Sequence, residues 1–171
     1  MYTLAPDEKA TTVIVYSLNK MIHGDLVTKK EVRVSIWPRM QNLPIYIHLL
    51  KAEVLLFSGA SYKSLTYDEY FFPTNRIIGF HLASPESDPL DYDPDTPFRA
   101  MLNVEMMLGA YMLNGKVRIS THSDFATMIE VSHMTWFSVY DADISHPFLP
   151  QLPTIHVPML LAYPTQVSFG M

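Results

Sequence analysis

Residues 24–35, GDLVTKKEVRVS, and residues 109–120, GAYMLNGKVRIS, carry the same landmarks at the same spacing. Each opens on glycine and reaches an arginine nine residues later, Arg33 in one and Arg118 in the other. Glycines and arginines are both 85 residues apart (109 − 24 and 118 − 33). A long apolar run follows in each, closing on Ala52-Glu53-Val54 or on Ala142-Asp143-Ile144, where the spacing is 90 (142 − 52). Phe71-Phe72-Pro73 and His156-Val157-Pro158 return to 85 (158 − 73). The pattern reads as an internal duplication with a short insertion in the second copy. It makes Gly24, Arg33 and Glu53 the counterparts of Gly109, Arg118 and Asp143, with structural roles in each repeat.

The segments around these landmarks read as strands. Residues 12–17 (TVIVYS) are β-branched and aromatic, and residues 21–27 continue them, with Gly24 offering a bulge. Residues 32–36 alternate apolar and polar, and Pro38 and Pro44 then bound a short turn. Residues 45–57 form the strongest element of the first half, a strand bent around residues 49–51. Residues 62–70 read as an exposed connection, and residues 70–82 as two strand pieces about a Pro-Thr-Asn turn. In the second half, residues 99–111 are rich in Met, Leu and Ala, yet their place in the repeat makes them a strand. Residues 117–120, a long central strand over 129–144, and strands at 156–162 and 165–169 complete the pattern.

Between the halves, residues 84–97 (SPESDPLDYDPDTP) hold four prolines and five carboxylates. Such a stretch builds no core and reads as an acidic, semi-stiff spacer. The expected fold is all-β: two tandem small antiparallel barrels of SH3 or Sm-like type, related by duplication. Their bounds are 1–83, including an N-terminal arm over 1–11, then the linker 84–97, then 98–171.

Composition narrows the function. The chain has 171 residues, 49% hydrophobic and only 17% charged, so apolar surface is expected to be buried between halves or against other chains. A net charge of −5 argues against a nucleic-acid partner. With no cysteine there is no disulfide, thiolate nucleophile or cysteine metal site. No apolar run is long enough to span a bilayer, and the first residues lack a signal-peptide pattern, which points to the cytoplasm.

The box at residues 33–39 (RVSIWPR), stretched to RISTHSDF at 118–125, resembles the R-x-S-D-x-L-N box of an uncharacterised family of small bacterial proteins. There the box precedes a strand containing Asp-Ala. More distantly, His23-Gly24-Asp25-Leu26 followed by residues 40–54 resembles the first motif of Sm-like small barrels. That resemblance implies a strongly bent sheet that assembles edge to edge.

Candidate chemistry is thin. Lys29, Lys30, Arg33 and Arg39, with Trp37 among them, form a basic and aromatic stretch of the kind that contacts single-stranded nucleic acid. His146, His156 and Asp143 offer a histidine-carboxylate metal set, and Asp91, Asp93 and Asp95 a cation loop without its glycine and distal glutamate. His122, Ser123 and Asp124 are adjacent, whereas a catalytic triad is assembled from distant segments, so a capping turn is the plainer reading. His133 and Asp141 lie too far apart along one strand to form a dyad. No HExxH, GxSxG or phosphate-binding glycine loop occurs. The expectation is a non-enzymatic structural, assembly or protein-interaction module without a cofactor. Its partner would be protein, as a homo-oligomer or within a larger complex. A nucleic-acid-binding regulator and a histidine-carboxylate metal enzyme are the alternatives. In either case Arg33 and Arg118 are expected to pair with Glu53 and Asp143 or to bond a loop's carbonyls.

Overall fold

The computed structural model describes residues 2–84, 88–131 and 136–170. Ten strands form one antiparallel sheet: β1 (Glu8–Ser17), β2 (Lys20–Lys29), β3 (Tyr46–Ser58), β4 (Ser61–Pro73), β5 (Gly79–Leu82), β6 (Arg99–Leu108), β7 (Tyr111–Ser120), β8 (Phe137–Ser145), β9 (Ile155–Ala162) and β10 (Val167–Gly170). Their order across the sheet is β10-β6-β7-β8-β9-β5-β1-β2-β3-β4. Cut between β9 and β5, this is one five-strand order written twice: fifth, first, second, third, fourth.

Hydrogen-bond register fixes which residues are equivalent. Ser17 faces Lys20 in the first hairpin and Leu108 faces Tyr111 in the second, an offset of 91 (108 − 17). In both halves the second and third strands slip past each other at a glycine. Gly24 lies between the pairs His23–Glu53 and Asp25–Leu50, and Gly115 between Asn114–Asp143 and Lys116–Tyr140. The extra residue of each bulge, Lys51 or Asp141, has a φ of +49°. Such a bulge bends the strand and tightens its twist. It also presses the neighbouring backbone onto the glycine. A methyl group on Gly24 would stand 3.2 Å from Ala52 Cα and from the Leu50 carbonyl. On Gly115 it would stand 2.8 Å from Val139 and 3.1 Å from the Tyr140 carbonyl.

The true counterpart of Gly24 is therefore Gly115 and not Gly109. Gly109 lies in the turn between β6 and β7, where its φ of +59° suits glycine. Arg33 and Arg118 are likewise not equivalent: Arg118 lies within β7, and Arg33 lies beyond the end of β2. Leu161, not His156, stands where Phe71 stands in the first half (161 − 71 = 90), because Ala142–Val157 repeats Ala52–Tyr67. Glu53 and Asp143 remain equivalent, at 90.

Other expectations shift for local reasons. Residues 21–27 do not prolong β1; they return beside it after a two-residue turn at Leu18-Asn19. Residues 34–39 form a 3-10 helix containing Pro38, and the Ser35 amide donates to Asp88 rather than to a strand. Residues 62–70 belong to β4, whose polar, exposed side chains are those of a sheet edge. The long strand over 129–144 is only partly a strand. The Asp124 carboxylate accepts the Thr127 amide at 2.7 Å and caps a helix, α1 (Phe125–Val131), before β8 begins at Phe137. His133 lies outside the described residues. β1 starts at Glu8, so the N-terminal arm is shorter than residues 1–11.

Neither half closes into a separate barrel. The fifth strand of the first half, β5, pairs with β9, the fourth strand of the second, and the sheet runs on through that joint. Two apolar cores lie along it, and each borrows from the other half. Val13, Val15, Ile22, Leu49 and Phe80 pack with Trp136 and Leu161, while Met106, Leu113, Val139 and Leu160 pack with Tyr16 and Ile78.

Candidate interaction surface

The joint between the halves is short on its backbone and deep in its side chains. Gly79 faces Ala162 and Phe80 faces Leu161, and the Tyr163 amide donates to the Ile78 carbonyl at 2.9 Å. Leu161 is fully buried, Trp136 is 7% exposed and packs on Tyr163 at 5.2 Å, and Tyr16 is 1% exposed. Burying one such side chain contributes about 1.5–3 kcal/mol. Tyr16 meets Tyr111 edge to face at 4.9 Å, and the Tyr111 hydroxyl donates to the Lys20 carbonyl. Burial raises the Tyr16 and Tyr111 hydroxyl pKa values well above the ordinary range.

The linker reinforces the joint. Asp91 accepts from Arg39 of the first half and from Ser138 and Tyr140 of the second. Burial pushes its carboxyl up, but these three donors outweigh it and hold it below the usual carboxylate range. Arg33 donates to the Pro89 carbonyl at 2.5 Å. Arg118 donates to the Asp93 carbonyl at 2.8 Å and lies over the Tyr92 ring at 4.6 Å. Both arginines thus hold linker carbonyls, and neither has an ion pair with Glu53 or Asp143 among the described residues. Glu53 instead accepts from Ser64, and Asp143 lies 2.8 Å from His156.

The sheet has two ends, β4 and β10, and among the described residues each pairs on one side only. β4 is the counterpart of β9, and β10 the counterpart of β5. At the β4 end two of the positions that are buried in the joint carry exposed apolar side chains, while Phe72, the counterpart of Ala162, is buried. Phe71, the counterpart of Leu161, is 58% exposed, and Tyr46, the counterpart of Trp136 (136 − 46 = 90), is 52% exposed. Phe71 stacks on His48 at 4.5 Å, and Tyr2 meets the same imidazole edge to face at 4.6 Å. At the β10 end Met107, the counterpart of Tyr16 (107 − 16 = 91), is 49% exposed.

The basic stretch does not form one cationic face. Trp37 is buried and packs toward Phe80 at 5.9 Å, Lys29 pairs with Asp7 and Glu8, and Arg39 turns to Asp91. Lys30 is exposed. Nor does the proposed metal set assemble: His146 packs among Phe57, Tyr111 and Phe148, while the exposed His156 of β9 lies between Asp143 and Asp141. Among the described residues no group of three or more histidines and carboxylates is placed to hold a metal ion. Asp93 caps the Asp95 amide, so the acidic loop bonds to itself and to Arg118. Around Ser123, Asp124 caps α1 and the His122 ring rests on Phe98. No helix among the described residues is long and apolar enough to cross a membrane.

Phe71 served the sequence only as a repeat landmark, and nothing there marked Phe71, Tyr46 or Met107 as exposed at a sheet edge. An alignment of the halves at 90–91 rather than 85 would have set Phe71 against Leu161 and exposed the pairing. No protein-family model, curated protein or solved structure matches this chain.

Proposed function

We propose that this chain is a non-enzymatic interaction module of two small barrel-like repeats, residues 1–83 and 98–171, joined and braced by the linker. It binds protein through the open edge of β4 near Phe71. One observation carries this reading: Phe71 and Tyr46 are exposed at the positions where their counterparts Leu161 and Trp136 are buried. A large aromatic exposed beside the open edge of a terminal strand is a surface shaped for backbone pairing plus side-chain burial. The low charge content of the chain is consistent with apolar surface reserved for a partner.

The test is capture with the wild-type chain and Phe71→Asp as matched baits, scoring bound protein of any kind, including further copies of this chain. A protein retained by the wild type and lost by the variant is expected. Identical retention by the two baits would remove β4 as the binding surface.

A further inference from the structure

Resting on that reading, we propose that the occupant of the β4 edge is the β10 edge of a second copy of this chain, seated head to tail as β9 sits on β5. The molecule already contains one such joint. Its two free edges are the repeat counterparts of the two edges joined inside, so the same docking geometry carries β4 of one copy onto β10 of the next. The register follows. Phe80 faces Val15 and Phe169 faces Met106, so Phe169 is the counterpart of Phe80, and Ser168 that of Gly79. Leu161 on Phe80 becomes Phe71 opposite Phe169, and Ala162 on Gly79 becomes Phe72 opposite Ser168.

The side chains match on both faces. Phe71 and Tyr46 replace buried Leu161 and Trp136 on one edge, and exposed Met107 replaces buried Tyr16 on the other. Methionine adapts its shape to an incoming aromatic and makes favourable sulfur-ring contacts. The remainder of β4 carries Lys63, Asp68 and Glu69, which discourage pairing along its whole length. Only its Phe71 end docks, as β9 docks by Leu161 and Ala162.

One backbone difference makes the outer joint weaker than the inner one. Tyr163 donates its amide to Ile78, and its counterpart is Pro73 (163 − 73 = 90), which has no N–H. The contact is heterologous, with different faces meeting, so it builds a ring if the rotation closes and a fibre if it does not.

Polarity gives the test. Phe71→Asp blocks one face and Met107→Glu the other, at exposed positions that leave the cores intact. Native mass by light scattering is measured for the wild type, for each variant alone and for their equimolar mixture. The wild type is expected as a multiple of the 19.6 kDa chain, each variant alone as a single chain, and the mixture as a 1:1 dimer of 39.2 kDa (2 × 19.6). The dimer forms because each variant keeps the face that the other has lost, and it also shows that both variants are folded. Retained assembly in Met107→Glu alongside a monomeric Phe71→Asp would overturn head-to-tail docking. A monomeric wild type at every concentration would overturn self-association, while the capture experiment would still decide whether the edge binds another protein.

Discussion

The two halves agree where the backbone is crowded and differ where solvent decides. Gly24 and Gly115, Ala52 and Ala142, and the left-handed residues Lys51 and Asp141 hold equivalent places in equivalent bulges. Beside those bulges the charges are exchanged: Asp25 and Lys51 in the first half stand where Lys116 and Asp141 stand in the second. Lys116 and Asp141 form an exposed ion pair at 2.6 Å. The connection between second and third strands differs as well, a 3-10 helix presenting Trp37 in one half and α1 presenting Phe125 in the other. Each places an aromatic against the phenylalanine of the fifth strand, Trp37 on Phe80 and Phe125 on Phe169. The comparison teaches that a repeat preserves the contacts that bend its sheet and lets its surface drift.

The sharpest way to test that comparison is to place one charge at two equivalent positions. Leu161→Asp puts a carboxylate into the joint and is expected to cost at least about 4 kcal/mol. Phe71→Asp is expected to leave denaturant stability nearly unchanged while abolishing association. Equal losses of stability in the two variants would mean that the edges are not in different environments.

Next come the bulge glycines. Gly115→Ala drives a methyl into Val139 and is expected to cost about 3 kcal/mol, against about 1 kcal/mol for Gly24→Ala, whose neighbours stand farther off. Urea midpoints measure both, and the reverse order would break the ranking by contact distance.

A third prediction concerns acid. His81 donates from Nδ1 to the Leu82 carbonyl at 2.8 Å, which leaves Nε2 to accept the Tyr16 hydroxyl at 3.0 Å. Burial holds this neutral ring down at about 4, from 6.5. Unfolded chains take up the proton first as pH falls, so stability is full above about pH 6.5 and declines toward pH 4. Its counterpart in the second half is Gly170, so the repeat does not duplicate this group; the second half has its own buried imidazole at His146, also lowered by burial. His81→Gln is expected to remove about 2 kcal/mol of the stability lost between pH 7.5 and pH 5. Unchanged acid sensitivity in thermal melts would discharge His81 from this role.

The smallest effect separates two neighbours on β7. Arg118→Ala loses the Tyr92 ring and the Asp93 carbonyl and is expected to cost about 1 kcal/mol. Lys116→Ala loses only an exposed ion pair, and no measurable shift is expected. Equal, negligible melting shifts in both variants would show that the linker contact carries no stability.

The duplication, the all-β class and the bend at residues 49–51 were legible because they rest on strand composition and on the Ala-acid-apolar triplet at the bulge. The register was not. In the first two strands of each repeat the apparent offset of 85 differs from the real 91 by six residues, an even slip that keeps every side chain on its face. At Phe71 the slip against the real 90 is five, and the faces are reversed. The apolar alternation of those first two strands therefore matched nearly as well in the wrong register, and Gly109, Arg118 and Pro158 supplied chance landmarks. The capping turn at Asp124 was legible, but the helix it starts over residues 125–131 was not, because a period-two reading of the apolar residues from 129 onward favoured a strand. The exposed aromatics could not be told from core aromatics, because composition does not say which strand ends the sheet.

Native mass in dilute and concentrated solution, measured by light scattering for the wild type and Phe71→Asp, decides whether the β4 edge joins one chain to the next. The wild type is expected to assemble in multiples of 19.6 kDa and the variant to stay at one chain. A wild type that stays a single chain throughout, or a variant that assembles as the wild type does, would contradict it.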